Sequence, residues 1–220
     1  MFKLTKLITA AEEADRTALE AVLNAAAQRP GVTRSLLNPT LPGGWNPGDY
    51  VWHLQFDDEA AYRAWQADPA GAKAVDALIA DASQLKVAES VAYNGGRTGV
   101  RDGGSGNGIY RVMLCTVYDD ADEAKVRQFE DELFGMGTHI HSVRNWQVSR
   151  SLESSGSSAW THVWEQDYDD LSDLLGPYMM HPYHWAMIDR WFDPQHPDLM
   201  FDGYICHTFC NSETPMVAPE

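Results

Sequence analysis

The same order of secondary-structure signals runs twice through the chain, on either side of a glycine-rich stretch at residues 94–108 (NGGRTGVRDGGSGNG). In the first half, β-forming residues over Phe2–Thr9 predict a strand. Leu19, Val22, Leu23 and Ala26 recur at helical spacing within Ala11–Gln28 and predict an amphipathic helix. Gly31–Asn38 and Asp49–Phe56 follow as predicted strands, separated by the turn-rich LPGGWNPG. Asp57–Ala82 reads as helical with an interruption at Pro69, and Leu85–Tyr93 as a closing strand. In the second half, Ile109–Tyr118 predicts a strand, and Asp120–Phe134 a helix with Val126, Phe129 and Leu133 on one face. His141–Ser151 and Ala159–Tyr168 read as strands, with ESSGSSA at 153–159 as a hairpin loop. Asp169–Phe192 is helical, interrupted near Pro177 and Pro182, and Leu199–Thr208 closes the half.

Each half therefore has the ferredoxin-like order β-α-β-β-α-β. Residue echoes point to a duplication. Phe56-Asp57-Asp58 is matched by Tyr168-Asp169-Asp170, Pro69 by Pro182, and Val75-Asp76 by Ile188-Asp189. The expected layout is a first repeat at 1–93, a flexible linker at 94–108, a second repeat at 109–209 and a tail at 210–220. The fold class is α+β. Helices on one face of each sheet leave the other face apolar, so the two repeats are expected to pack sheet to sheet around a barrel-like core. One chain then supplies both partners of a pseudo-dimer, as a monomer or within a homo-oligomer.

Net charge is -16, and the few lysines and arginines are scattered. That argues against nucleic acid and against anionic membranes as partners. No apolar run reaches the length of a membrane span, and MFKLTKLITAAEEADR lacks the apolar core of a secretory signal, so a cytoplasmic location is expected. Cys115, Cys206 and Cys210 show no metal or redox spacing; Cys206 and Cys210 suit a bridge only in an oxidising compartment, and free thiols are expected.

The chemistry concentrates in Tyr178-Met-Met-His181-Pro182-Tyr183-His184, at the second helical segment of the second half. Trp160-Thr161-His162-Val163 lies on the preceding strand. A phenol and imidazoles beneath a sheet can take a proton from one atom and return it to another near neutral pH. The stretch THVWEQDYDDLSDLLGPYMMHPYHW resembles the signature region of the dimeric α+β barrel (Dabb, stress-responsive A/B barrel) family, in particular its plant polyketide cyclases. The resemblance implies the intramolecular form of that barrel. It implies His184 as catalytic base, Tyr178 as the group that orients base and substrate, His162 as a pocket histidine, and a more structural role for His181. Where the family often carries a first-strand histidine, this chain has Arg111, a cation suited to a carboxylate or phenolate.

The first half lacks the set: Tyr50, Trp65, Asp68 and Gly71 stand at the positions of His162, Tyr178, His181 and His184, which implies a structural copy. The strand alternation leaves the direction of His53 open. His139 and His141 could join His181 or His184 around a metal, but no carboxylate or cysteine spacing supports one, and none is expected. His196 and His207 read as ordinary. Trp160, Trp164 and Trp185 are candidate walls for a flat ligand, with Trp146 and Trp191 nearby in the chain.

The expected function is a cofactor-independent acid–base lyase acting on a small aromatic or polyketide-like molecule by decarboxylation, aldol-type cyclisation or elimination. Two alternatives stand beside it: a cofactor-free oxygenase on the related barrel, or a stress-response protein that only binds its ligand. The glycine-rich stretch lacks a Rossmann unit before it and a P-loop lysine, so no nucleotide cofactor is expected.

Overall fold

β1 (Phe2–Ala10), β2 (Val32–Pro39), β3 (Tyr50–Phe56) and β4 (Leu85–Asn94) build the first sheet, and β1 and β3 are buried on both faces. In the second half, β6 (Ile109–Cys115), β7 (Asn145–Arg150), β9 (His162–Tyr168) and β10 (Cys206–Asn211) build the second sheet. The computed structural model describes residues 1–103 and 105–217; Gly104 of the expected linker and 218–220 of the expected tail lie outside the described residues. With β5 (Arg97–Val100) and β8 (Glu153–Ser155), the sheets run β2-β3-β1-β4-β8 and β10-β6-β9-β7-β5, all antiparallel. Within each half the core order is second, third, first, fourth strand, the ferredoxin-like arrangement. The registers coincide: Phe2 faces Phe56 across the first sheet as Ile109 faces Tyr168 across the second.

Side chains alternate between two destinations. Leu7, Val51 and Val91 of the first sheet meet Val112, Leu114 and Val163 of the second in a core between the sheets. On the outer face of the first sheet, Leu4, Ile8 and Trp52 receive Leu19 and Leu23 of α1 (Arg16–Ala27), Tyr62 and Trp65 of α2 (Glu59–Ala67) and Val75 of α3 (Ala72–Ala80). On the second, Met113 and Trp164 receive Val126, Phe129, Leu133 and Met136 of α4 (Glu123–His139). Pro69 splits the first half's second helical segment into α2 and α3, as its missing N–H requires.

The sheet-to-sheet core is not wholly apolar. Lys3 Nζ sits 3.1 Å from both carboxylate oxygens of Glu165, and neither side chain is exposed. Tyr110 donates to Glu165 at 2.8 Å, and Thr5 joins His53 at 2.8 Å and Tyr93 at 2.9 Å. His53 therefore points inward, bonded also to Gln55. The Lys3–Glu165 pair crosses from one half to the other, as does the contact of the Tyr110 hydroxyl with His53 Nδ1 at 3.3 Å, and these two links fix how the sheets register.

Several boundaries differ from the sequence reading. The stretch expected as a flexible linker contains β5 (Arg97–Val100), paired with β7. The expected hairpin loop contains β8 (Glu153–Ser155), paired with β4. The β2–β3 loop mirrors that reach, bridging Thr40 to Cys210 and Trp45 to His207 on β10. Each half thus lends backbone to cover an edge strand of the other, satisfying N–H and C=O groups that an open edge would leave bare. The expected tail is also docked: Cys210 and Asn211 belong to β10, and the Met216 and Val217 N–H groups donate to Asp167. α1 starts only at Arg16, where the Asp15 carboxylate caps the Ala18 N–H at 3.0 Å. α4 runs on to His139, β9 starts only at His162, and β10 forms beyond Gly203. Cys115, Cys206 and Cys210 are free thiols. No helix among the described residues is long and apolar enough to cross a membrane.

β5 is held by an indole. A Cβ placed on Gly99 of β5 would lie 2.2 Å from the Trp146 ring, and one on Gly137 of α4 2.1 Å from it. Gly137→Ala is therefore expected to cost about 1–3 kcal/mol through overpacking, read as a lower urea midpoint; an unchanged midpoint would show that the ring moves freely.

Candidate active site

The segment after β9 starts with α5 (Leu171–Asp173), passes through π-helical turns at Leu174–Tyr178 and Tyr183–Ile188, and ends in a 3₁₀ turn at Asp189–Phe192. Pro177 and Pro182 lack the N–H groups a regular helix would use, so the ladder widens and breaks between them. In a regular α-helix, residues six apart point about 120° away from each other. Here the Tyr178 and His184 rings meet edge to face, with centroids 4.8 Å apart.

Both rings face a cavity of about 330 Å³ between the second sheet and its helical layer. Met113, Leu133, Met136, Trp164 and Ile188 make its walls largely apolar. Arg111 of β6 forms the polar floor and is 2% exposed. Its guanidinium lies 4.9 Å from the Tyr178 ring centroid and donates hydrogen bonds to Gln166 and His207, both neutral groups. Gln166 is its direct partner on β9. His207 reaches it from β10, where it faces Met113, the next residue on that side of β6.

Burial, reinforced by the Arg111 charge, holds His184 down to about 4, so its imidazole is neutral at pH 7. The same causes, with His184 as a third, hold His207 well below 6.5 and leave its Nε2 free to accept from Arg111. Burial raises the Tyr178 phenol and keeps it protonated, against the opposing pull of Arg111. His184 Nδ1 lies 3.7 Å from Asp189 Oδ2, too far for a hydrogen bond, and has no hydrogen-bond partner among the described residues. A buried cation without a carboxylate bonded to it and a neutral imidazole thus look into one apolar chamber. That arrangement can bind an anion and accept a proton.

The structure assembles Tyr178, His184, Arg111 and Trp164 and leaves four expected residues elsewhere. His162 lies at the far end of β9, bonded to Thr161 and 3.2 Å from Glu130, with Phe129 and Phe201 against its ring. His181 serves the chain locally: its Nδ1 accepts the Tyr183 N–H at 3.1 Å and its carbonyl the His184 N–H at 2.9 Å. Trp160 precedes β9 and packs between the sheets, donating to Glu89 at 2.9 Å. Trp185 follows His184 by one residue, which turns it away from the cavity, and it is 57% exposed. His139 stacks on Tyr183 at 4.5 Å rather than facing the cavity.

His207 is the cavity residue the sequence reading passed over. The signal was available, because the ferredoxin-like order places the last strand beside the first, and alternation then puts His207 on the side of Arg111 and Met113. Gln166 follows by the same argument from β9. Met136 becomes visible only once α4 is known to continue past Phe134.

Residues 109–202 match the family described as Stress responsive A/B Barrel Domain. Among solved structures, an anthrone oxidase-like protein superposes with a TM-score of 0.68 at 12% identity, covering 99% of this chain and 93% of its own. A Lactobacillus acidophilus protein described as a monooxygenase gives 0.53 at 13% identity, covering 99% and 98%. One from Fusobacterium nucleatum with the same description gives 0.55 at 10%, covering 97% and 95%. At these identities the likeness establishes the fold over both halves. No curated protein matches the chain.

Proposed function

We propose that the cavity over Arg111, within the residues 109–202 that match the stress-responsive A/B barrel domain family, is the active site of an acid–base enzyme acting on a small aromatic or polyketide-like molecule. One observation carries the reading: neutral His184 and buried Arg111 face the same cavity of about 330 Å³. His184 takes a proton from carbon or from a phenol. The electron pair moves to an oxygen held by the Arg111 guanidinium, where Tyr178 donates a hydrogen bond. The anion then loses CO2, closes a ring or expels a leaving group, and His184 returns its proton. This is lyase chemistry, and an imidazole performs the proton transfer unaided.

A second reading rests on the descriptions of the similar structures, one oxidase-like and two monooxygenases. In it the same substrate anion reacts with O2 from solution, with Arg111 and His184 in the same roles.

Mass spectrometry of aromatic acids and polyketide-like ketones incubated with the protein, without added cofactor, tests both. Loss of CO2 or water, reduced about a hundredfold or more in His184→Ala, supports the lyase. A product that gains oxygen in air and is absent under nitrogen supports the oxygenase. No product across the panel, with equal ligand binding by both proteins, leaves a binding protein. Because His184 becomes protonated only near about pH 4, kcat/KM is expected to stay level from pH 8 to 5.5 on its account and to fall below about 4.5; an acid limb near 6.5 would contradict the neutral imidazole.

A further inference from the structure

The first half holds a second cavity, of about 370 Å³, in the layer corresponding to the first. It lies between the first sheet and α2 and α3, and β8 of the second half closes its side. In the matched registers of the halves, Lys6 takes the place of Met113, Ser90 that of His207, and Asp76 that of Asp189. This cavity therefore carries its cation one pair along the strand from where the second half carries Arg111.

Lys6 is 8% exposed, and its Nζ donates to the Ser90 hydroxyl at 2.8 Å. Every element packed against it contributes a named group. β3 supplies Trp52 as its cross-strand partner, β4 Ser90, α2 Tyr62 and Gln66, α3 Asp76, and β8 Glu153. Glu153 accepts from the Tyr62 hydroxyl at 3.1 Å and pairs with the Arg63 guanidinium at the rim of the cavity. Asp76 acts on Lys6 through its charge. Burial is the larger influence and holds the Lys6 amine down to about 8, so about a tenth of it is uncharged at pH 7. An amine buried in a cavity, bonded to a neutral hydroxyl, is the environment in which lysine becomes a nucleophile.

We propose that Lys6 is an imine-forming residue for a small uncharged hydroxylated aldehyde or ketone bound in this cavity. The amine nitrogen adds to the carbonyl carbon, a C–N bond forms, and the carbonyl oxygen leaves as water carrying both amine protons. No electrons are transferred. The two carboxylates at the cavity, Asp76 and Glu153, disfavour an anionic ligand, while Gln66 and Tyr62 offer hydrogen bonds to its hydroxyl groups.

The test uses the full chain with glycolaldehyde and sodium cyanoborohydride at pH 7, which converts an imine to a stable alkylamine that peptide mass spectrometry locates. Lys6 is expected to be labelled at least about tenfold faster than Lys73 and Lys86, both exposed lysines. In 8 M urea the preference should vanish. Asp76→Asn removes the charge that favours the ammonium form, so the pH at which Lys6 labelling is half-maximal should fall. Labelling of Lys6 no faster than Lys73 and Lys86, a preference that persists in urea, or an unmoved pH profile in Asp76→Asn would each overturn the proposal.

Discussion

Replacing Glu165 by alanine is expected to lower the stability of this protein by about 3–5 kcal/mol. Glu165 and Lys3 are both fully buried, one from each sheet, and Glu165 is also the acceptor for the Tyr110 hydroxyl. Truncation leaves an ammonium in the sheet-to-sheet core with no carboxylate beside it, and a phenol without its acceptor. The cost comes from the stranded charge rather than from a large net gain in the pair. Replacing both partners together, Lys3→Met with Glu165→Leu, is accordingly expected to recover most of the loss, because an apolar pair of similar volume avoids the desolvation of two ions. Urea denaturation followed by tryptophan fluorescence reads both variants. A Glu165→Ala loss below about 1 kcal/mol, the range of an ordinary surface change, would show that the pair contributes little to joining the halves.

Acid is expected to act almost as strongly as that truncation. His53, His184 and His207 all have their folded pKa depressed, in each case chiefly by burial. Between 6.5 and the depressed value, the unfolded chain binds a proton that the folded chain refuses. Their contribution is therefore full above pH 6.5 and is lost as pH falls. A histidine that remains neutral in the fold gives up about 2.5 kcal/mol between pH 7.5 and 4.5. Asp167 works in the opposite direction. Burial raises it to about 7, against the N–H groups of Met216, Val217 and Asn145, so it gains stability as pH falls from 7 towards 3.8. Over the same interval it returns about 3 kcal/mol, which offsets only part of what the three histidines lose. Urea midpoints measured from pH 7.5 to 4.5 check this. A flat profile would mean that the histidines titrate in the folded state, and a steeper fall in the His53→Gln variant would reverse the sign assigned to His53.

The duplication was legible because its signals are local: alternation in the strands, helical spacing at Leu19, Val22 and Leu23, and proline at the same step of each half. The family resemblance located Tyr178 and His184 from a short motif. What stayed hidden depended on pairing across the chain. Arg97–Val100 has too little hydrophobic alternation to announce a strand and becomes one only because β7 has a free edge and Trp146 needs a glycine against its face. Glu153–Ser155 is likewise a strand only in the presence of β4. The placement of His162 and Trp160 turned on where β9 begins, and that of Trp185 on a single residue of helical phase. The Lys3–Glu165 pair joins residues 162 positions apart, a separation over which no sequence pattern carries information.

The crossing of β8 onto the first sheet also sets a clock. β4 is complete when Asn94 has been made, but the strand that covers its edge begins at Glu153. At about 5–20 residues per second, synthesis takes roughly 3–12 s to travel between them. For that interval the β4 edge, Lys3 and the cavity around Lys6 all lack the partners that the second half supplies. The newborn first half is thus a different object from the same residues in the finished protein, with an exposed strand edge for which neighbouring chains compete until the second half arrives.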